Sequence, residues 1–237
     1  MVRLMKFDPP LRPAILLKRY KRFLADVRFE DGTELTAHCA NPGSMLGLAE
    51  PGSTVWLSKS DNPKRKLPWS LELVDVGTSL VGVHTGRPNA LVEAAIRADE
   101  IQELGGYENI RREVKYGENS RIDLLLESPG RPLAYVEIKS VTLSRTTGLA
   151  EFPDSKTARG AKHMAELAEM ARLGHRAVVF FLVQRSDCTQ MRPAADIDPK
   201  YAESLAAALT AGVEVLCYSC RIDTDAIILD RPLELAI

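Results

Sequence analysis

The sequence lacks the long apolar runs that are typical of membrane-spanning and exported proteins. No stretch approaches the ~18 consecutive apolar residues that a membrane span needs. The opening residues, MVRLMKFDPP, contain no apolar core segment of the kind that a signal peptide requires. We therefore expect a cytoplasmic protein with no membrane association.

Cysteine is scarce as well. Four cysteines in 237 residues do not make a disulfide framework in a cytosolic chain of this size. Cys217 and Cys220 have the spacing of half a zinc site, but no second pair exists. Their neighbours alternate as in a β-strand, and this pattern favours buried thiols over metal ligands.

A large excess of one charge is also absent. The net charge of -1 does not by itself indicate nucleic-acid binding, which often accompanies a basic chain. The basic residues are nevertheless clustered, and three clusters in a nearly neutral chain favour a basic face, although each alone could be ordinary surface. The clusters are Lys18, Arg19, Lys21 and Arg22; Lys59, Lys64, Arg65 and Lys66; and Arg111, Arg112 and Lys115.

The length suits one large or two small domains, and the pattern changes at the string TGRPN. We expect two domains, residues 1–85 and 86–237. The first has five predicted strands separated by turn signals: 20–29, 33–40, 53–60, 67–76 and 79–84. Five short strands with a Pro- and Gly-containing loop, HCANPGSM, predict an OB-like β-barrel, a common platform for single-stranded nucleic acid. Another five-stranded β-domain is the alternative. Trp56 and Trp69 are better candidates for its core than for stacking on bases.

The stretch from Arg121 to Lys139 has the pattern of a β-hairpin. It reads RIDLLLE, SPGR and PLAYVEIKS, so two runs of period-two alternation flank a turn. If the turn is centred near Gly130, Asp123 faces Glu137, and Arg121 faces Lys139. Residues opposite one another on one face have Cβ atoms ~4.5 to 5.5 Å apart. We therefore expect the two carboxylates side by side.

Neighbouring carboxylates repel unless a cation neutralises them, and Mg²⁺ or Mn²⁺ prefers oxygen ligands. Asp123 and Glu137 are thus candidate metal ligands, and Glu93, on a predicted helix, is a candidate third. Lys139 would lie beside a metal-bound water, where it could help remove a proton or stabilise a phosphate under attack. The alternative is a charged solvent face, in which Glu137 pairs with Lys139 or Arg121.

The second half follows the order helix, three strands, helix, strand, helix, strand. The predicted elements are a helix at 89–104, a strand at 110–116, the hairpin, an irregular stretch at 140–155, a helix at 156–173, a buried strand at 175–183, a helix at 199–212 and a strand at 213–221. This order resembles the core of the PD-(D/E)XK nuclease fold, and the hairpin resembles its active-site pattern. In the helix at 156–173, Arg159, Lys162 and His163 share a polar stripe that could bind phosphate.

Four strings together resemble the sugar fermentation stimulation protein A family of bacteria and archaea. They are AHCANPGSM, TGRPNALVEAA, RIDLLL with VEIKSVTL, and FPDSKTARGAKHMAEL, and they span nearly the whole chain. The resemblance implies an N-terminal OB-type domain, a C-terminal nuclease-like domain, and DNA binding without marked sequence preference. It also implies a regulatory link to sugar metabolism, chiefly that of maltose.

The resemblance also assigns candidate site residues by position. It places Glu93, Asp123, Glu137 and Lys139 at the acidic and lysine positions of the nuclease fold, as candidate catalytic residues. Candidate nucleic-acid contacts are Lys18, Arg19, Lys21, Arg22, Lys64, Arg65, Lys66, and Arg159, Lys162 and His163 of the family's RG-x-KH string.

Two hypotheses follow for a protein with an OB-like barrel and a PD-(D/E)XK nuclease-like α/β domain whose mixed sheet is flanked by helices. In the first, it is a largely sequence-independent DNA-binding protein with a role in regulating sugar metabolism. In the second, it is a nuclease that uses Mg²⁺ or Mn²⁺ to hydrolyse phosphodiesters. DNA is the expected partner in both. The sequence leaves the oligomeric state open, with a homodimer as one alternative.

Overall fold

The structure is a computed structural model that describes residues 5–236. The first part of the described chain forms seven strands: β1 (Met5–Lys6), β2 (Arg12–Tyr20), β3 (Leu24–Arg28), β4 (Glu34–His38), β5 (Thr54–Lys59), β6 (Trp69–Asp75) and β7 (Leu80–Gly82). The remainder forms three α-helices, α1 (Pro88–Arg97), α2 (Ala158–Arg172) and α3 (Pro199–Thr210). Its strands are β8 (Asn109–Tyr116), β9 (Ser120–Glu127), β10 (Ala134–Val141), β11 (Leu143–Thr146), β12 (Gly148–Phe152), β13 (Arg176–Val183), β14 (Cys188–Pro193), β15 (Glu214–Ile222), β16 (Ala226–Pro232) and β17 (Glu234–Leu235).

Strands β2 to β6 close into a five-stranded barrel. They follow the order β4-β3-β2-β5-β6, and a parallel pairing of His38 with Ser70 joins β4 to β6. Alternate residues point inward, as the pleat of a strand requires, and Leu16, Val27 and Leu57 are fully buried. β7 pairs with β6 and extends the sheet. The predicted OB-like barrel is therefore confirmed.

One barrel strand was not predicted from the sequence. β2 lies before the first predicted strand, 20–29, and was missed. The predicted strand 20–29 corresponds to β3, which begins only at Leu24 because the chain reverses direction at Lys21 and Arg22. Their φ angles of 48° and 62° are left-handed and form a tight turn between β2 and β3. In β2, the alternate positions Ile15 and Leu17 are apolar although partly exposed, and this hides the alternation that buries Ala14 and Leu16.

The second half, together with β1, forms a seven-stranded mixed sheet with helices on both faces. Its strand order is β1-β16-β15-β13-β10-β9-β8. In this sheet β13 pairs in parallel with both β10 and β15. Leu91 of α1 packs on one face with Phe180, while Met164 of α2 and Leu205 of α3 pack on the other with Phe181. β13 is buried in the centre, as its apolar sequence predicts. The nuclease-like architecture predicted for this half is confirmed.

A second, smaller sheet was not predicted from the sequence. β11, β12, β14 and β17 pair in that order, although residues 140–155 had been expected to be irregular. These strands are short, and their charged residues hide the period-two pattern. The Glu151 side chain is 0% exposed and accepts hydrogen bonds from Arg145 at 2.8 Å and Arg192 at 3.0 Å. Ion pairing therefore buries a residue that sequence patterns assign to the surface.

The helix α1 is shorter than the predicted helix at 89–104. It ends at Arg97, and Asp99 has a left-handed φ of 56°, which an α-helix cannot continue. A separate 3-10 turn, Gln102–Leu104, follows. Among residues 5–236, no helix has the length and apolar character needed to cross a bilayer.

The four cysteines are free and buried, as the strand pattern predicts. Cys217 and Cys220 both lie in β15, and burial raises the pKa of the Cys217 thiol to about 12. A thiol with so high a pKa is protonated near neutral pH, and only the thiolate is a strong metal ligand.

The buried Glu151 predicts a large loss of stability on substitution. Glu151→Ala should lower the free energy of unfolding by about 2 kcal/mol, because charge-assisted hydrogen bonds are lost while the partly exposed Arg145 and Arg192 regain water. Asp31→Ala is the matched control, since its ion pair with Arg12 is exposed at both ends. Urea unfolding followed by circular dichroism measures both. Equal midpoints for the two variants would contradict the proposed importance of this network.

Candidate functional site

A cleft of about 860 Å³ lies between the barrel and the mixed sheet. The barrel contributes Arg19, Arg22 and the loop 41–44. The other wall comprises parts of α1, β9, β10, the 152–157 segment and the start of α2. Clefts between domains are common ligand sites, because each side can present groups that the other lacks.

The hairpin β9–β10 positions two carboxylates in this cleft. The paired positions are Leu124 with Val136, Leu125 with Tyr135, and Leu126 with Ala134, which is the predicted register. Beyond Val136 the backbone pairing of these strands stops. There the Ile138 amide donates to Asp123 Oδ2 at 2.7 Å. The Asp123 side chain thus takes the place of a backbone acceptor and is held against β10.

Asp123 is half-buried beside a second carboxylate, that of Glu137. The Asn89 side-chain amide, on α1, donates to Asp123 Oδ1 at 2.8 Å. Burial and the charge of Glu137 nevertheless raise the pKa of Asp123 to about 6, because these effects exceed the stabilisation from its two hydrogen bonds. Such a group is costly to keep ionised unless a cation lies close.

Glu137 lies deeper, with only 3% of its surface exposed. Lys139 Nζ donates to Glu137 Oε1 at 2.7 Å, and His163 Nδ1 bonds to the same oxygen. Burial alone would raise the pKa of Glu137, but the His163 hydrogen bond and the Lys139 charge outweigh it and lower the pKa. Glu137 Oε2 is buried with no hydrogen-bond partner in the structure. A buried oxygen of an ionised carboxylate without a partner is a site for a cation or water.

The residues present fit a hard divalent ion. Asp123 and Glu137 supply carboxylate oxygens, the ligands that Mg²⁺, Mn²⁺ and Ca²⁺ prefer. Within residues 5–236, no group of three or more His, Cys, Asp or Glu side chains is arranged to hold a metal. Two protein carboxylates leave positions for water and phosphate oxygens, which is how Mg²⁺ is commonly bound.

The structure does not bring Glu93 to these carboxylates, contrary to the expectation of a third acidic ligand. Arg97 donates to Glu93 Oε1 at 2.9 Å, and Arg112 from β8 bonds to Oε2. Two cations therefore hold Glu93 at the edge of the sheet. The α1 residue that reaches Asp123 is Asn89, one helical turn earlier.

His163 is a buried support for Glu137 and does not lie on an exposed phosphate-binding stripe. It is 4% exposed, and Arg159 Nε donates to its Nε2 at 3.2 Å. Both ring nitrogens of His163 are therefore engaged, Nε2 by Arg159 and Nδ1 by Glu137. Arg159 lines the cleft, whereas Lys162 is exposed and lies 3.6 Å from Glu166. The predicted stripe of Arg159, Lys162 and His163 is thus divided among three environments.

The residues of the N-terminal basic cluster, Lys18, Arg19, Lys21 and Arg22, also lie in different environments. Arg19 donates to the backbone oxygens of Arg22, Asn41, Gly43 and Ser44 and so organises the loop 41–44. Arg22 lines the cleft, while Lys21 is exposed. Lys18 Nζ lies 5.5 Å from the centre of the Tyr20 ring. Lys64, Arg65 and Lys66 lie in the loop between β5 and β6, outside the cleft lining.

The loop 41–44, interpreted from its sequence as a turn, is one wall of the site. Ser44 Oγ donates to the Asp154 carbonyl at 2.6 Å, and the Met45 amide donates to Asp154 Oδ2 at 2.8 Å. A Cβ on Gly43 would lie 2.5 Å from Asp154 Oδ2, so only glycine permits this approach. Nothing in the local pattern of either segment predicts the contact. Both segments belong to the strings that carry the family resemblance.

Cationic side chains outnumber carboxylates in the cleft. The cations are Arg19, Arg22, Lys139, Lys156 and Arg159, and the carboxylates are Asp123, Glu137 and Asp154. Arg19 is engaged by carbonyls and Lys139 by Glu137. Arg22, Lys156 and Arg159 form no ion pair within the described part of the chain. Arg159 Nε donates to His163, and the terminal nitrogens of Arg159 are left to meet an anionic ligand.

Comparison with known proteins gives one consistent result. The family model described as "Sugar fermentation stimulation protein RE domain" matches residues 86–226, and the one described as "SfsA N-terminal OB domain" matches residues 17–83. The chain is 60% identical over 229 residues to a sugar fermentation stimulation protein homolog of Paramagnetospirillum magneticum, covering 97% of each. It is 59% identical over 232 residues to the Rhodospirillum centenum homolog, covering 98% of this chain and 100% of that one. A solved structure, Pyrococcus furiosus SfsA in complex with Ca²⁺, is similar over 100% of both chains, with a TM-score of 0.91 and 31% identity.

The arrangement of Asp123 and Glu137 predicts a divalent-cation site that depends on both. Asp123→Asn keeps an oxygen that can accept from Ile138 but removes the charge, so Mn²⁺ and Mg²⁺ binding measured by calorimetry should be abolished. Glu127→Gln, on the same strand but outside the cleft, is the matched control and should bind metal like the wild type. Circular dichroism checks that both variants are folded. Equal metal binding by Asp123→Asn and the wild type would refute the shared site.

Proposed function

The chain belongs to the sugar fermentation stimulation protein family, and from this membership and the geometry of the cleft we propose that it binds DNA between its barrel and its mixed sheet. The observation that carries the proposal is a set of cations with no ion pair among residues 5–236, Arg22, Lys156 and Arg159, around the half-buried Asp123 and the buried Glu137. Cations attract phosphates, and a divalent ion held by the carboxylates would add to that attraction.

The proposed binding is largely independent of base sequence. Arg22, Lys156 and Arg159 carry charges suited to phosphate oxygens, and phosphate contacts hold a nucleic acid in place without reading its bases. The start of α2 adds backbone donors near Lys156, and its cap, Thr157, already accepts from the Gly160 amide. The implied role in regulating sugar metabolism needs binding alone and requires no catalysis.

A divalent ion is the proposed cofactor of this site. The Pyrococcus relative was solved in complex with Ca²⁺, and Ca²⁺, Mg²⁺ and Mn²⁺ all favour oxygen ligands. In this chain Asp123 and Glu137 would hold the ion. Asn89 and the Ile138 amide orient Asp123, while Lys139 and His163 orient Glu137.

DNA affinity should fall as salt rises, because phosphate contacts release counterions. Three unpaired cleft cations, each meeting one phosphate, predict a slope of log K against log salt of about -2 for a single strand. Fluorescence anisotropy with labelled strands of unrelated sequence, over a salt series, measures the slope and the sequence preference together. A flat salt response, or a thousandfold or so preference for one sequence, would contradict the proposal.

Phosphodiester hydrolysis is a second candidate, favoured by the position of Lys139. Its ammonium group lies 2.7 Å from Glu137 Oε1 and lines the cleft. A bound divalent ion would supply a water of lowered pKa and a positive charge beside the phosphate. The Lys139 ammonium would then stabilise the negative charge that develops on the phosphate oxygens, while Asp123 and Glu137 would hold the ion.

The hydrolysis candidate predicts a specific defect for Lys139→Ala. Cleavage of a labelled strand in Mg²⁺ or Mn²⁺ should fall by about 10²-fold or more at nearly unchanged DNA affinity, because a catalytic lysine acts in the transition state. A lysine that only neutralises phosphate would instead weaken binding and reduce the salt slope by about one. Lys115→Ala, an exposed change on β8, is the control. If the wild type binds DNA and metal but does not cleave DNA, hydrolysis is refuted and only the binding function remains.

A further inference from the structure

We propose that the barrel edge next to the cleft is a base-stacking subsite for single-stranded nucleic acid, with Phe23 as the stacking ring. The inference rests on the proposed nucleic-acid binding. It adds that the bound nucleic acid is single-stranded and that Phe23 contacts its bases. It is carried by an exposed aromatic ring, by its connection to the cleft, and by the cations on either side of it.

Phe23 is an exposed ring on a well-defined turn. It is 46% exposed, although phenylalanine is usually buried. The turn between β2 and β3 is defined by the left-handed Lys21 and Arg22, and the Phe23 amide donates to the Lys21 carbonyl at 2.7 Å. The Cys39 amide donates to the Phe23 carbonyl at 2.8 Å. The backbone that carries this exposed ring is thus held in place on both sides.

A second ring lies beside it. The centres of the Phe23 and His38 rings are 6.4 Å apart and their planes differ by 16°. Two nearly parallel rings at the surface resemble the aromatic platforms on which successive bases stack in single-strand-binding proteins. His38 is itself fixed by its position in β4 and its pairing with Ser70.

The platform is continuous with the cleft. Arg22, which precedes Phe23, lines the cleft. Arg19 donates to the carbonyls of Arg22 at 2.9 Å and Gly43 at 2.8 Å, so one guanidinium joins the turn that carries Phe23 to the loop that forms the cleft wall. A nucleic-acid strand that runs from the cleft onto the surface of the barrel would therefore pass Phe23.

Further cations lie on the other side of the platform. Ser70 pairs with His38, and Arg65 donates to Ser70 Oγ at 2.9 Å. Lys64 and Lys66 flank Arg65 and are exposed. Contacts between adjoining residues thus link the cleft cation Arg22, the aromatic pair and the basic loop. Alternation of positive charge and rings suits a strand whose phosphates and bases alternate.

The same features argue against a duplex or a protein as the occupant. Bases in a duplex are stacked on one another and cannot lie on a side-chain ring. A stable protein interface buries about 800 Å² on each partner, with a well-packed apolar centre. One exposed ring between clusters of cations offers no such centre, whereas its charge complements a nucleic-acid backbone.

The test compares strands that differ only in their bases. Fluorescence anisotropy with full-length protein measures affinity for a labelled oligo-dT and for an abasic strand of the same length and phosphate number. Phe23→Ala should weaken oligo-dT binding by about 5- to 150-fold and leave abasic binding unchanged, because stacking needs a base. Phe23→Trp should restore oligo-dT affinity. Leu173→Ala, which removes an exposed apolar side chain at the end of α2, is the control and should change neither affinity.

Several results would overturn the proposal. Equal weakening for both strands would assign Phe23 a structural role, and an unchanged oligo-dT affinity would show that no base stacks there. If Phe23→Ala changed neither affinity but shifted the sedimentation coefficient towards a smaller species, Phe23 would belong to a contact between copies of this chain. In these cases the wild type still binds DNA and the proposed function stands. Failure of the wild type to bind either strand would refute that function and the stacking subsite with it.

Discussion

The burial of Glu137 and the partial burial of the neighbouring Asp123, where β9 and β10 separate, is the constraint on which the site depends. A buried charge is costly unless it is paired or hydrogen-bonded, and two like charges together are more costly. The Ile138 amide and the Asn89 side chain donate hydrogen bonds to Asp123, and Lys139 and His163 form hydrogen bonds with Glu137. Glu137 Oε2 has no hydrogen-bond partner among residues 5–236, so the compensation within the described residues is incomplete. A divalent ion would complete it.

The barrel is held against this pair by contacts between backbone and side chains. Arg19 binds several carbonyls of one loop, and that loop contacts Asp154 through Ser44 and the Met45 amide. The absence of a side chain at Gly43 allows the two segments to approach so closely. The cleft therefore depends on the docking of the two halves as much as on either half. A substrate or partner bound there would contact both.

Local periodicity was sufficient for much of the fold and for the centre of the site. Alternation identified most of the barrel strands and the hairpin, and the turn near Gly130 placed β9 and β10 in register. That register brought Asp123 beside Glu137. Periodicity failed where charges are internally paired, as at Glu151 in the small sheet. It also failed at Glu93, because a helical face does not reveal that arginines from α1 and β8 will hold it.

The sequence by itself determined the two-part architecture, the register of the hairpin and the proximity of its carboxylates, because these follow from neighbouring residues and short turns. Only the tertiary structure decided that Asn89 reaches Asp123, that His163 is buried against Glu137, and that the loop 41–44 contacts Asp154. These contacts join segments far apart in the chain. Their geometry depends on how whole sheets and helices pack, and no local pattern carries that information.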